Sequence, residues 1–159
     1  MFFLTVGTQK FQFNRLLSEL DNYIANSSET AFGQIGYSNY RPRNFPYKEF
    51  LSAKEFEYYL SNCEVVITHS GVATIIKALK FHKPVIVIPR LKKYGEHVDN
   101  HQNQIAEMFS ERNLVLWGKD GDKIEDLIIR ARNTKFEEFV SNQNEFVNTI
   151  ENYLQTIHK

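Results

Sequence analysis

The turn His69-Ser70-Gly71 is the first group of residues suited to chemistry. It lies between the apolar run 65–68 and a helical pattern. The free amides and partial positive charge of a helix N-terminus bind phosphate well, and Ser70 would add a hydroxyl donor. The same residues are also typical of an ordinary strand-to-helix turn in which Ser70 caps the helix. The turn alone leaves both interpretations open.

A second, more highly charged cluster follows the apolar run 84–88. Arginine and lysine suit phosphates, whereas amides, carboxylates and imidazoles suit sugar hydroxyls. The cluster contains Pro89, Arg90, Lys92, Lys93, Tyr94, Gly95, Glu96, His97, Asp99, Asn100, His101 and Gln102. Alone it also fits a solvated loop followed by a helix that Asp99 caps.

The turn Gly7-Thr8-Gln9 is a third candidate, although one glycine does not make a dinucleotide-binding fingerprint. It fits either the edge of a binding site or a plain turn. The sequence has no Ser-His-Asp order, no paired-carboxylate pattern and no cysteine or histidine spacing typical of zinc. Cys63 is the single cysteine, so the chain cannot form an internal disulfide.

Short apolar runs alternate with helical patterns along the chain, which predicts a doubly wound α/β domain with a mainly parallel sheet. We predict this single domain over residues 1–159. The predicted strands are 2–6, 31–35, 45–48, 65–68, 84–88 and 114–117. The predicted helices are 13–25, 52–60, 72–81, 99–109, 123–132 and, at the C terminus, 136–157. In such sheets ligands bind at the carboxyl ends of strands where the strand order reverses, which would bring the three polar segments together.

Composition excludes some classes of function. Hydrophobic residues make up 42% of the 159 residues, which is enough for one core, and the formal net charge is zero. No global field would therefore draw the protein to nucleic acid or an anionic membrane. The apolar N-terminal run is too short for a signal peptide or a membrane span. We expect the aromatic and basic segment 37–47 to be a loop or docking surface, not a nucleic-acid site.

The polar segments also lie within stretches that resemble the C-terminal domain of family 28 glycosyltransferases. The similarity extends to the small subunit of two-part transferases. These include the catalytic subunit of the eukaryotic dolichol-linked N-acetylglucosamine transferase and the bacterial capsule and exopolysaccharide pairs that extend an undecaprenyl-diphosphate-linked sugar. The matching stretches are 3–8, 13–16, 34–36, 65–76, 78–79, 83–90 and 94–102. The run Gly-Glu-His-Val-Asp-Asn-His-Gln at 95–102 is the most specific of them.

This resemblance implies one Rossmann-like half of a GT-B enzyme that binds a UDP-sugar. The diphosphate would lie on the turn 69–71 and the following helix N-terminus, and the loop 90–102 would contact sugar and phosphate. Such enzymes are usually inverting and need no cofactor and no metal held by an Asp-x-Asp motif. The implied donor-binding residues are Gly7, Thr8, His69, Ser70, Gly71, Val72, Thr74, Arg90, Tyr94, Glu96, His97, Asn100, His101 and Gln102.

Two features depart from the single-chain relatives. Lys77 occupies the position where those relatives place a glutamate that holds the ribose hydroxyls, so it either replaces that contact or faces solvent. The chain also supplies one domain where a GT-B enzyme needs two. The resemblance therefore implies a separate, membrane-anchored, Rossmann-like subunit that binds the lipid-linked acceptor, carries the catalytic base and holds this chain at the cytoplasmic face of the membrane.

The leading hypothesis is thus the donor-binding subunit of a hexosyltransferase that acts in surface polysaccharide synthesis. A non-catalytic nucleotide-sugar-binding module that regulates a partner transferase is the first alternative. An unrelated α/β hydrolase or epimerase is the second, with His69 and His97 as acid–base candidates.

Overall fold

The computed structural model describes residues 1–140 and 144–157 of the chain. Its strands are β1 Phe2–Thr5, β2 Ala31–Gln34, β3 Tyr47–Lys48, β4 Val65–Thr68, β5 Val85–Val87 and β6 Leu116–Trp117. Its helices are α1 Asn14–Ala25, α2 Ala53–Asn62, α3 Val72–Lys80, α4 His101–Glu111, α5 Ile124–Asn133 and α6 Asn144–Ile157, with a short 3-10 helix at Lys92–Tyr94.

The strands form one parallel sheet in the order β3-β2-β1-β4-β5-β6. The central strand β1 pairs with β2 on one side and β4 on the other, so that Phe3 lies opposite both Phe32 and Val66. The order of the strands reverses between β1 and β4, which opens a crevice at their carboxyl ends. This arrangement confirms the predicted doubly wound, parallel α/β fold.

Helices cover both faces of the sheet, which explains why its central strands β1, β4 and β5 are mostly apolar. Successive strand residues point to opposite faces, so Phe2 and Leu4 belong to one core and Phe3 belongs to the other. The first core also contains the buried faces of α1 and α5, and the second contains those of α3, α4 and α6. Both cores therefore fix the strand ends relative to the helices that follow them.

A capping box begins α2. Ser52 Oγ accepts a hydrogen bond from the Glu55 amide at 3.3 Å, and Glu55 Oε2 accepts one from the Ser52 amide at 2.9 Å. The alternative interpretation of the turn 69–71, in which Ser70 caps α3, is wrong, because Gly71 is the N-cap and no side chain makes a capping bond. Helix α4 begins at His101, and Asp99 Oδ1 accepts a hydrogen bond from its amide at 2.9 Å.

The C-terminal helix begins later in the chain than the predicted range 136–157. Residues 134–140 have no helical structure, residues 141–143 lie outside the described part of the chain, and α6 begins at Asn144. Phe136 packs against the first core and Phe139 is buried in the second. These two apolar residues, which are three positions apart as in a helix, thus pack on opposite faces of the sheet. Within residues 1–140 and 144–157, no helix is both long and apolar enough to cross a bilayer.

Candidate functional site

The three polar segments meet at the carboxyl edge of the sheet. Gly7 follows β1, the turn 69–71 follows β4, and Arg90 follows β5. Thr68 Oγ1 donates a hydrogen bond to the Thr5 carbonyl at 2.9 Å, and the Ile88 amide donates one to the Thr68 carbonyl at 2.8 Å. The structure therefore brings together the segments that the sequence places after separate strands.

The imidazole of His69 lies between two glycines. A Cβ on Gly7 would lie 2.5 Å from His69 Cε1, and a Cβ on Gly71 would lie 2.5 Å from His69 Nε2. Burial, aided by the nearby positive charge of Arg90, lowers the pKa of His69 to about 3. The ring is therefore neutral at physiological pH. A group with so low a pKa is poorly matched to general base catalysis near neutrality.

Gln102 joins the turns that follow β4 and β5. Its side-chain oxygen accepts hydrogen bonds from the Ser70 amide at 3.3 Å and from the Arg90 amide at 2.9 Å. The hydroxyl of Ser70 is buried, and no described residue hydrogen bonds to it. Buried hydroxyls normally have a partner, so Ser70 has hydrogen-bonding capacity that the described residues leave unused.

Arg90 is fully buried, and its guanidinium organises the loop after β1. It donates hydrogen bonds to the carbonyls of Val6 at 2.6 Å, Gln12 at 2.8 Å and Phe11 at 3.1 Å. Burial lowers the pKa of Arg90 to about 10, so the group stays protonated at neutral pH. Its predicted contact with a donor stays a prediction, because the guanidinium is directed at backbone carbonyls of its own chain.

Glu96 is also fully buried and holds the loop that follows β5. Its two oxygens accept hydrogen bonds from the Arg15 guanidinium, each at 3.0 Å, and Oε2 accepts a third from the Leu91 amide at 2.9 Å. The Arg15 guanidinium in turn lies 5.0 Å from the ring centre of Tyr94, which is exposed. Arg15 thus supports the loop from α1, a role that the sequence analysis did not assign to it.

Asp99 connects the two histidines of the loop. Its Oδ1 lies 3.1 Å from His97 Nδ1 and accepts the hydrogen bond from the His101 amide. Desolvation alone would raise the pKa of Asp99, but the His101 amide and the two imidazoles together lower it below its usual value. The Asn100 side chain instead accepts a hydrogen bond from the Lys92 amide at 2.9 Å and closes the loop.

Two cavities meet beside His69 at the N-terminus of α3. The Phe56 cavity, of about 430 Å³, is also lined by Leu51, Thr74 and Lys77. The His97 cavity, of about 340 Å³, is also lined by Ser70, Asp99, Gln102, Leu154 and Ile157. Both are lined by Gln9, His69, Gly71 and Val72. Because they share these four residues, one ligand can extend from one cavity into the other.

The predicted site residues divide into three groups. The Phe56 cavity is lined by Gly7, Thr8, His69, Gly71, Val72 and Thr74. The His97 cavity is lined by His69, Ser70, Gly71, Val72, His97, His101 and Gln102. The remaining four, which line neither of these cavities, are Arg90, Tyr94, Glu96 and Asn100. Phe56, Leu154 and Ile157 were missed, because helical spacing alone marks them as core residues.

Lys77 does not simply face solvent. Its Nζ lies 3.0 Å from Glu57 Oε1 and 5.4 Å from the ring centre of Phe56, and its side chain lines the Phe56 cavity. The ammonium of Lys77 thus lies on the cavity wall and is paired with the carboxylate of Glu57, which is next to the cavity but not part of its lining. Within the described ranges no group of three or more histidine, cysteine, aspartate or glutamate side chains is placed to hold a metal ion.

Comparison with known proteins points to one family. The model of the glycosyltransferase family 28 C-terminal domain matches residues 1–156. The chain is 29% identical over 99 residues to the UDP-N-acetylglucosamine transferase subunit ALG13 of Candida albicans, covering 62% of this chain and 32% of the relative. It is 31% identical over 137 residues to the subunit of the same name from Yarrowia lipolytica, covering 76% of this chain and 65% of the relative.

A bacterial relative has a similar level of identity. The chain is 30% identical over 104 residues to the UDP-N-acetylglucosamine--N-acetylmuramyl-(pentapeptide) pyrophosphoryl-undecaprenol N-acetylglucosamine transferase of Prochlorococcus marinus, covering 62% of this chain and 27% of the relative. The chain thus spans less than two thirds of each of these relatives. The fold is similar to the glycosyltransferase SnogD from Streptomyces nogalater, with a TM-score of 0.52, 17% identity and coverage of 82% of this chain and 32% of that one.

Proposed function

Because the chain belongs to the glycosyltransferase family 28 C-terminal domain family, we propose that it is the catalytic, donor-binding subunit of an inverting glycosyltransferase. In this proposal it moves a hexose from a UDP-sugar to a polyprenyl-diphosphate-linked saccharide in surface polysaccharide synthesis. The observation that carries the proposal is the pair of cavities that meet at the N-terminus of α3. A nucleotide sugar can span both cavities, because a diphosphate joins its nucleoside to its sugar.

The diphosphate would lie at the junction of the cavities. The first turn of α3 offers backbone amides without a side-chain cap, and the Ser70 hydroxyl beside it is buried and unpaired with any described group. His69 is neutral and holds the turn in place without adding charge. Backbone donors fixed in this way would stabilise the charge that develops on the UDP leaving group.

The two ends of the donor would then occupy different cavities. The Phe56 cavity suits the uridine, because Phe56 and Leu51 offer apolar surface to a base and the Lys77–Glu57 pair offers a donor and an acceptor to ribose hydroxyls. The His97 cavity suits the hexose, because His97, Asp99 and Gln102 are hydrogen-bonding groups.

The proposal includes a second polypeptide. Two of the relatives are named as transferase subunits, and the chain covers only part of each of them. A membrane-anchored, Rossmann-like partner would bind the lipid-linked acceptor, supply the catalytic base and keep this chain at the cytoplasmic face of the membrane. UDP-sugar and acceptor would meet in the cleft between the two proteins.

A non-catalytic nucleotide-sugar-binding module is the second candidate. It is favoured by Lys77, which lies where the resemblance places a glutamate that holds the ribose hydroxyls. Of the residues that line the two cavities, Asp99 alone is a carboxylate, and it is engaged with His97 and His101. In both proposals, therefore, a base for deprotonating an acceptor comes from elsewhere.

Thermal unfolding and transfer assays test these proposals together. A ligand that binds only the folded chain stabilises it by about 2.7 kcal/mol at a concentration of 100 times Kd, so UDP should raise Tm. The chain alone should transfer no sugar, whereas the chain with a membrane-anchored, Rossmann-like protein encoded beside it should transfer a hexose to a lipid-linked acceptor.

Each proposal has an outcome that contradicts it. Robust transfer by the isolated chain would refute the two-subunit arrangement. Transfer by the partner alone, with this chain only changing its rate, would favour the regulatory module. A Tm that does not respond to UDP would refute the donor site.

A further inference from the structure

The loops beside the candidate site carry three exposed aromatic rings. Tyr37 follows β2, Phe50 follows β3 and Tyr94 lies in the loop that follows β5, so all three belong to the carboxyl edge of the sheet. Their exposed fractions are 51%, 42% and 43%. Because β2 and β5 are three strand spacings apart, roughly 14 Å, the rings flank the site on both sides. We call these three residues the aromatic rim.

Cations and hydrogen bonds connect the loops of the aromatic rim. Arg41 Nη2 donates a hydrogen bond to Glu49 Oε1 at 2.9 Å, which ties together the loops that follow β2 and β3. The Lys93 ammonium lies 4.8 Å from the ring centre of Tyr94. Gln12 Nε2, in the loop that follows β1, donates a hydrogen bond to the Tyr94 carbonyl at 2.9 Å. The rim therefore belongs to one connected surface in which rings and cations are mixed.

This surface is positively charged although the chain as a whole has no net charge. In the segments 7–12, 36–41, 49–52 and 91–98 the exposed carboxylate is that of Glu49, and the exposed cations are Lys10, Arg41, Lys92 and Lys93. No ion pair within the described ranges involves Lys10 or Lys92. The local excess of positive charge complements an anionic surface.

We infer that the aromatic rim and its cations bind this chain directly to an anionic membrane surface. The rings would lie at the level of the lipid headgroups, and the lysines and Arg41 would face the lipid phosphates. This inference goes beyond the proposed function, in which the second polypeptide holds the chain at the membrane. Because the rim flanks the two cavities, the same contact would turn the candidate site toward a lipid-linked acceptor.

The mixture of rings and lysines fits a bilayer better than a protein partner. The core of a protein interface is depleted in charged residues, and lysine is among the most depleted. At a bilayer surface, by contrast, aromatic rings enter the headgroup region while neighbouring lysine and arginine side chains stay with the phosphates. Loops from both sides of the site present this combination, as Tyr37 with Arg41 and Tyr94 with Lys93 show.

Co-sedimentation of the full chain with lipid vesicles, without nucleotide, tests the inference. The probes are vesicles of phosphatidylcholine alone and vesicles in which it is mixed equally with phosphatidylglycerol. The wild-type chain should bind the mixed vesicles at least about tenfold more tightly than the neutral ones, because each lysine or arginine near an anionic surface adds roughly fivefold. Raising the salt concentration should weaken this binding, because salt screens the charges.

Variants of exposed residues separate the two contributions. The double variant Tyr37→Ser/Phe50→Ser should weaken binding to the mixed vesicles roughly five- to tenfold, and Lys10→Ser/Lys92→Ser should weaken it at least about tenfold. The matched controls are Tyr58→Ser and Lys80→Ser, which alter an exposed tyrosine of α2 and an exposed lysine at the far end of α3. Both controls should bind as the wild type does.

Equal binding to both kinds of vesicle, or no binding to either, would overturn the inference. So would control variants that lose as much binding as the rim variants. If the wild-type chain ignores vesicles and the rim variants instead fail to co-purify with the second polypeptide, the rim is a protein interface and the inference is wrong. These outcomes do not depend on nucleotide, so the response of Tm to UDP tests the proposed function separately.

Discussion

The imidazole of His69 fills the space that a side chain on Gly71 would need. A Cβ on Gly71 would lie 2.5 Å from Nε2 of the ring, closer than real Cβ atoms approach a neighbour. Gly71 has a φ of −75°, which any residue can adopt, so the requirement for glycine is steric. The ring and the glycine thus form one packed unit that sets the position of the first turn of α3.

Replacing Gly71 with alanine should disrupt this unit. Gly71→Ala should lower the free energy of unfolding by about 1–3 kcal/mol through overpacking, and should abolish the rise in Tm caused by UDP. Urea unfolding and thermal unfolding with UDP measure the two effects. Gly95→Ala is the control, because Gly95 has a φ of +67° and open space around it. That variant should be strained but should still respond to UDP.

The double variant His69→Ala/Gly71→Ala tests whether a clash with the His69 ring causes the loss of stability in Gly71→Ala. Residues in direct contact have non-additive effects, so removing the ring should relieve part of the cost of the alanine at position 71. Stability losses that simply add would show that His69 and Gly71 do not act as a unit.

His69 should also make the fold sensitive to acid. Its pKa is about 3 in the folded chain, whereas an unperturbed histidine has a pKa of about 6.5. Because the unfolded chain binds a proton at higher pH than the folded chain does, the stabilising contribution is full above pH 6.5. It is lost as pH falls toward 3, by about 1.4 kcal/mol per pH unit at most.

His69→Asn removes this titration. The variant should be less stable than the wild type at pH 7, and the difference should shrink by about 2 kcal/mol at pH 5. Urea unfolding at both pH values measures the change. His82→Asn is the control, because His82 is largely exposed and asparagine tolerates its positive φ of 53°. A difference that stays constant between pH 7 and pH 5 would contradict the assignment of a buried, neutral His69.

Gln102 should be essential for holding together the turns that follow β4 and β5, because its side-chain oxygen accepts a hydrogen bond from each of them. Gln102→Leu leaves the buried amides of Ser70 and Arg90 without an acceptor, which should cost about 3 kcal/mol. Gln102→Glu keeps an acceptor oxygen in place and should cost less. Urea unfolding gives the loss of stability, and hydrogen exchange should show faster exchange of those two amides in the leucine variant. Equal losses of stability in both variants would show that the packing of the Gln102 side chain, and not its acceptor oxygen, stabilises the two turns.

The sequence was sufficient to predict the sheet and the edge that carries the site. The buried strands β1, β4 and β5 are mostly apolar, and polar residues follow their ends, as at His69 after β4 and Arg90 after β5. Parallel order then places those ends together. The pattern could not show that Arg90 and Glu96 are buried, because their partners, backbone carbonyls and Arg15, lie far away in the chain.

The contribution of α6 could not be predicted for a related reason. An apolar residue at helical spacing has the same pattern whether it faces a core or a cavity, so Ile150 and Leu154 are indistinguishable in sequence. Only the packing of the first half of α6 decides where its second half lies. The surroundings of Lys77 could not be predicted either, because its ion-pair partner Glu57 lies in a different helix, α2.

The Lys77–Glu57 pair should recognise the ribose of the nucleotide. Both side chains are partly exposed, so Lys77→Ala should change stability by no more than about 1 kcal/mol. If the ammonium and the carboxylate contact the ribose hydroxyls, the wild-type chain should bind UDP roughly tenfold more tightly than 2′-deoxy-UDP, and Lys77→Ala should lose most of that preference. Titration calorimetry with the two nucleotides measures it. Lys80→Ala, which alters an exposed lysine on the same helix, should keep the wild-type ratio. An unchanged ratio in Lys77→Ala would mean that the pair supports the cavity mouth without contacting ribose.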